Sequence, residues 1–316
     1  MVSAGLHHST VSGVGSPVSL PRLAAVALGC QLGHLMNSLP LDRALLWLAA
    51  LLYLAGFASG CIALIRAKQS TSSRVTLNVL LAAGLTLQTI GLHIRGMAVG
   101  GCPLGNKFEI VQFVAWSGTV LYFAVGPAFR VSLLGLFASG YTACLAILSL
   151  LIRAWDGVRG EKIFGNNPWI ELHAALAVFS YGAFGLLALT SIMHLLQNWS
   201  LKQKQLNNLF WFLPSVVQLD QINFRLMLAG EALLTISLGV GAAWWVRDIA
   251  SVNTPKLAVT LMVWLAYAVA LGLRWRHRLV SVRFAWVCLV MFGLALLALG
   301  PVNSSRHHQV ILTPER

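Results

Sequence analysis

The sequence predicts an all-α, polytopic transmembrane helical bundle of about eight spans, and three observations predict it. Hydrophobic residues make up 58% of the 316 residues and charged residues only 10%, whereas a soluble domain carries about a quarter charged. Apolar runs near the ~20 residues that cross a bilayer recur along the chain, separated by short polar stretches. No run alternates apolar and polar residues as the strands of an outer-membrane barrel do.

Residues Met1 to Pro40 are rich in Ser, Gly and His, and their apolar patch from Leu23 to Met36 is broken by Gly29, Gly33 and His34. They are expected to form a disordered or interfacial N-terminal segment rather than a span, and they lack the basic cluster of a signal peptide. The bundle is expected over residues 41–303, with a C-terminal tail over 304–316. Its spans fall near Asp42–Arg66, Val75–His93, Phe108–Ala128, Val131–Arg153, Trp169–Gln197, Arg225–Trp245, Leu257–Arg274 and Phe284–Gly300. Between the fifth and sixth, the polar connection from Leu196 to Phe224 can form an amphipathic helix on the inner membrane face.

The formal charge of +13 is spread between apolar runs, so it points to anionic membrane lipid rather than nucleic acid. Lys and Arg divide evenly between the two sides when Arg95 is counted in an outer loop. The densely basic loop from Arg274 to Arg283 favours an inner position for that loop. Cys30, Cys61, Cys102, Cys144 and Cys288 form no C-x-x-C pair and read as packing residues. No phosphate loop, catalytic carboxylate pair, zinc spacing or serine nucleophile motif is present, which weighs against hydrolase and nucleotide-driven pump functions.

The stretch from Leu219 to Arg274 carries the most information. Two apolar runs flank a loop holding Trp244, Trp245, Arg247, Asp248, Pro255 and Lys256. Paired indoles beside an arginine anchor a helix at the membrane boundary or offer a flat wall to a planar ligand. Leu219 with Asp220, Arg225, Gly239 and Gly241, Pro255 with Lys256, Trp264, and Tyr267 with Ala268 follow the pattern of a known family. On these residues the chain resembles the cytochrome c assembly family, the CcsA, ResC and HemX-like membrane proteins that handle haem. It departs from that pattern at Thr254, where the family has Asp, and at Asn253 and Ser251, where it has tryptophans. A family histidine near the inner end of the following span is replaced by Gly272, and His277 lies more than a helical turn beyond it.

The resemblance implies a membrane role in c-type cytochrome maturation, with haem presented at the outer, periplasmic-side face. It implies haem b as cofactor, apocytochrome c and a second membrane subunit as partners, and a place in a haem lyase-like holocytochrome c synthase complex. It also implies residence in the cell inner (cytoplasmic) membrane with both termini on the outer side. A non-catalytic scaffold for an assembly or haem-synthesis complex is the alternative that the altered tryptophan loop and Gly272 favour.

His173, in PWIELHAALAVFSYG, matches the family's Trp-x-x-x-His at the outer start of a span, with Trp169 and Tyr181 along the same helix face. His307 or His308, beyond the last span, approximates the family's second outer His, and an imidazole pair is a common way to hold haem iron. His173, His307 and His308 are therefore the expected iron ligands, with Trp244 and Trp245 forming the haem wall. Arg247 and Lys256 are further candidates from the same loop, and His93 is a helix-end or ligand candidate on the outer side. His194 reads as a bundle residue. Glu109 follows Gly105, Asn106 and Phe108 in an element similar to the family's Pro-Leu-Ser-Asn-x-Tyr-Glu. Capping by Asn106 accounts for it structurally, and ligand contact by Glu109 is the second reading. Glu231, about two turns inside the sixth span, is either bundle-paired or a proton or ligand-path residue, and it is the one feature favouring a small-molecule transporter.

Overall fold

The computed structural model describes residues 40–66, 71–129, 134–157, 167–203, 215–246, 254–279 and 281–309. The chain divides into two units between Pro40 and Leu41, and the helices belong to the unit Leu41–Arg316. Among the described residues there are eight α-helices and one short 3₁₀ turn, and no strand. They are α1 (Leu41–Ile65), α2 (Thr71–Val99), α3 (Lys107–Phe129), α4 (Leu134–Leu151), the 3₁₀ turn Arg153–Trp155, α5 (Pro168–Lys202), α6 (Val216–Trp245), α7 (Thr254–Trp275) and α8 (Val282–Gln309). Six of them, α1, α2, α4, α5, α6 and α7, are long and apolar enough to cross a membrane. The chain is a multi-pass membrane protein.

Helix starts follow local chemistry. Asn167 precedes Pro168 and its side chain accepts a hydrogen bond from the Trp169 N–H, so α5 opens on a cap followed by a proline whose missing N–H costs nothing there. Ser215 and Gln218 form a reciprocal capping box at the start of α6. That box starts α6 nine residues before Arg225, and α5 runs on to Lys202. The expected connection from Leu196 to Phe224 therefore shrinks to residues 203–215, and the amphipathic helix expected there falls largely outside the described residues. Helix α8 likewise continues to Gln309, through the position where the tail was expected to begin.

Helix α5 is the axis of the bundle. It packs along α6 over its whole length, and it also meets α3, α4 and α8. Close approach requires small residues: a Cβ on Gly182 of α5 would sit 2.0 Å from Ser117 Oγ and 2.8 Å from Gly118 N of α3. A second layer pairs α1 with α2 and α4. Its interior holds a polar ladder: the Tyr53 hydroxyl donates to Gln88 Oε1 (2.8 Å), Gln88 Nε2 to Gln112 Oε1 (2.8 Å), and Gln112 Nε2 to Ser149 Oγ (2.9 Å). In a lipid-surrounded bundle such bonds, at about 0.6–2 kcal/mol each, join helices that share no hydrophobic driving force.

Both ends of the bundle carry ions. At one end, Arg95 of α2 is completely buried, and its guanidinium meets Glu109 (2.8 Å), Asp42 (3.1 Å) and Asp156 while lying 4.5 Å over the Phe108 ring. Arg43 joins Asp156 at 3.2 Å. Arg95 is therefore not a loop charge, as its position after His93 suggested; α2 extends to Val99, and carboxylates from the start of α1, the start of α3 and the turn after α4 surround its guanidinium. At the other end, Arg274 of α7 pairs with Asp220 of α6 and lies over the Phe284 ring of α8. His194 of α5 meets Ser281 nearby, so the α5 C-terminus and the α6 N-terminus share this end. The α5 N-terminus and the α6 C-terminus consequently share the opposite end, along with the last turns of α8.

Candidate functional site

His173 lies in the second turn of α5, placed by the Asn167 cap and Pro168. Its Nδ1 is 2.7 Å from the Ser237 carbonyl oxygen on α6 and 3.1 Å from Ser237 Oγ, and Ser237 Oγ donates to the His173 carbonyl at 2.8 Å. A carbonyl only accepts, so Nδ1 carries the hydrogen and the lone pair resides on Nε2. This is the arrangement found behind metal-binding imidazoles, where a carbonyl fixes both tautomer and ring plane.

The neighbouring turns of α6 complete the cradle. A Cβ on Gly241 would lie 2.8 Å from His173 Nδ1 and 3.1 Å from Trp245 Cζ2, so only glycine admits the imidazole here. The Trp245 ring meets His173 edge to face at 5.5 Å and 75°. Trp169, Ile170, His173, Gly241, Trp244 and Trp245 line a hollow of about 140 Å³. That is smaller than the roughly 300–1,000 Å³ of a pocket enclosing a whole ligand. It suits one face or edge of a flat molecule, with an imidazole nitrogen on one side and indoles on the other. Among the described residues no three His, Cys, Asp or Glu side chains converge as a metal site.

The Cytochrome C assembly protein family profile matches residues 104–308, well over half of the chain. The chain belongs to that family. Relatives in the cytochrome c assembly family include Protein HemX of Brevibacillus brevis, 28% identical over 165 residues, 52% of this chain and 60% of the relative. The Cytochrome c biogenesis protein CcsA of Chlamydomonas reinhardtii is 25% identical over 62% of this chain and 56% of its own length. Protein NrfI of Wolinella succinogenes is 29% identical over 73% of this chain and 25% of its own length. The chain thus spans about three-fifths of the HemX proteins it matches. The matched segment contains His173, Ser237, Gly241 and both indoles.

The other expected site residues separate into groups. Trp244 and Trp245 stand with His173, as above. His307 and His308 belong to the last turns of α8 by backbone, at the same end of the bundle as His173; their side chains lie outside the described residues. Arg247 lies outside them entirely, and so does the side chain of Lys256, whose backbone opens α7. His93 is exposed on α2 and lines a different groove, of about 430 Å³, with Thr89, Gly96, Met97, Phe113 and Trp116.

Glu109 is buried with both oxygens occupied. Oε1 accepts from Arg95 Nε, Oε2 accepts from the Gly105 N–H at 2.7 Å, and the Glu109 N–H donates to Asn106 Oδ1 at 2.9 Å. Asn106 thus caps the start of α3, and the Glu109 carboxylate is held by Arg95 and the Gly105 N–H. Nearby, Cys102 lies in the loop before α3. Burial, and after it the carboxylates of Glu171 and Glu109, push its thiol up to about 11. Glu231 is buried midway along α6, where its Oε2 has no hydrogen-bond partner among the described residues.

Sequence reasoning missed Ser237 and Gly241 as the elements that orient His173. The signal was a spacing: Ser237, Gly241 and Trp245 recur every four residues on one face of α6.

Proposed function

We propose that this chain is a haem-handling membrane protein of c-type cytochrome maturation, presenting haem b at the His173 end of the bundle, on the outer face of the cytoplasmic membrane. One observation carries the reading: an imidazole held by Nδ1 against the Ser237 carbonyl, beside two indoles, with Nε2 left as a ligand. His173, with His307 or His308, would hold the haem iron. Trp169, Trp244 and Trp245, which line the hollow beside His173, would flank the ring and exclude water from it. Bound haem supplies vinyl groups to which the thiols of an apocytochrome Cys-x-x-Cys-His segment add, making thioethers. The residues of this chain hold the ring in place for that addition, within a complex completed by a second membrane subunit. Both termini lie on the outer side, which agrees with the alternation of eight helices when the loop between α7 and α8, carrying Arg276 and Arg278, faces inward.

A second reading, a scaffold without haem transfer, is favoured by Gly272. It is exposed on α7 with open space around it, where the family pattern puts a histidine. The visible spectrum of protein purified from haem-replete cells separates the two. A Soret band that disappears with His173→Ala supports haem handling, and a colourless wild-type protein supports the scaffold.

A further inference from the structure

The seam between α5 and α6 is chemically lopsided about Glu231. Toward the His173 end, the polar side chains bordering the seam are satisfied: Thr235 Oγ1 donates to the Glu231 carbonyl (2.7 Å), Trp264 Nε1 donates to Thr235 Oγ1 (2.9 Å), and Ser237 is bound to His173. Toward the Asp220–Arg274 end they are not. Among the described residues, buried His194 Nδ1, Gln197 Oε1, Asp220 Oδ1 and both amide atoms of Asn223 lack hydrogen-bond partners. His194 is fully buried, and Asn223 and Gln197 are 1% and 4% exposed. Orphaned polar atoms at that density are what buried water satisfies.

The stripe has a direction. Asp220, Asn223 and Glu231 share one face of α6 and rise about 16 Å along it, at 1.5 Å per residue. His194 of α5 lies within electrostatic reach of Asp220 and Arg274 and meets Ser281. At the foot, the Asp220–Arg274 pair retains 13–21% side-chain exposure, so solvent reaches it. At the head, Phe184 and Tyr267 stack face to face at 3.8 Å and 10°, beside Gly230, and close the seam at the level of Glu231. The Glu231 carboxyl, costly to charge at mid-membrane, therefore sits at the closed head of the stripe.

We propose that this half-seam is a water-lined proton-access path from the Asp220–Arg274 end to the carboxyl of Glu231. A proton enters from bulk water at Asp220, crosses His194, whose Nε2 contacts Ser281 Oγ at 3.3 Å while Nδ1 faces the seam, and converts the Glu231 carboxylate to the neutral acid. The titratable and charged groups facing the path are His194 and Tyr181 from α5, Asp220 from α6, Tyr267 and Arg274 from α7, and Cys288 from α8. No part of this requires haem.

The test is infrared spectroscopy of the full chain in lipid nanodiscs, following the C=O stretch of protonated carboxyl groups after transfer to D2O. Glu231→Gln should remove one such band. In a His194→Phe, Asn223→Leu double variant the deuterium shift of that band should slow about tenfold or more, whereas Thr235→Val, on the closed side, should leave its rate unchanged. Asn223→Ser, which keeps a polar atom in place, should restore most of the rate and guards against misfolding as the cause. The proposal is overturned if Glu231→Gln removes no band, if the double variant exchanges at the wild-type rate, or if Thr235→Val slows exchange as much as the double variant does.

Discussion

His173 donates its Nδ1 hydrogen to the Ser237 carbonyl across 2.7 Å, so α6 sets the orientation of an imidazole that α5 supplies. The two helices share the most extensive seam in the bundle, and a change in their separation at Ser237 moves the ring.

Gly241 gives the sharpest check on that seam. Gly241→Ala places a methyl group where His173 Nδ1 now lies, at 2.8 Å, and should reduce haem absorbance per protein about tenfold. Gly239→Ala, two residues away with nothing within 4 Å of the added carbon, should leave the spectrum unchanged. Equal spectra for the two variants would show that the cradle does not position a ligand.

The buried ion cluster predicts a stability effect at the same end. Arg95→Met leaves Asp42, Glu109 and Asp156 facing one another without their shared cation. The loss should be about 3–5 kcal/mol, read as a large drop in thermal stability in detergent. Arg95→Lys should recover little, since one ammonium cannot reproduce a planar fork that meets three carboxylates on three separate nitrogens.

Cys102 predicts a pH dependence. Its thiol is raised from about 9 to about 11 by burial and by Glu171 and Glu109. The reactive thiolate at pH 8 is then about a hundredfold scarcer than for an ordinary thiol. Alkylation by iodoacetamide in detergent should be slow at pH 8 and climb steeply toward pH 11. Glu171→Gln should speed it, by removing one of the two negative charges. A rate at pH 8 equal to that of an unfolded control contradicts this environment.

How much of this the sequence revealed depends on which physics was local. The helices were legible because lipid demands long apolar runs, and each of the eight expected spans overlaps its helix along most of its length. The start of α6 was legible too, in Ser215 and Gln218, but the polar residues around it masked the signal. Arg95 was misplaced because its partners come from positions 42, 109 and 156, and no local pattern announces a cation with ligands so far away in the chain. The grouping of His173 with Trp169, Trp244 and Trp245 was expected from the family resemblance, and the structure brings the four together. Ser237 went unnoticed because its decisive atom is a backbone oxygen, which every residue has.

The proposed membrane orientation is tested by reporter fusions. A periplasmic-active phosphatase fused after Arg316 should be active in cells, and one fused within the loop between α7 and α8 should be inactive. The reverse pattern would put His173 on the inner side.

The most direct test of the central claim is the visible spectrum of the purified full chain before and after His173→Ala. A Soret band in the wild type that is lost in the variant, with the helical circular dichroism unchanged, is the predicted result. A band of equal height in both proteins, or none in the wild type under haem-replete expression, would contradict it.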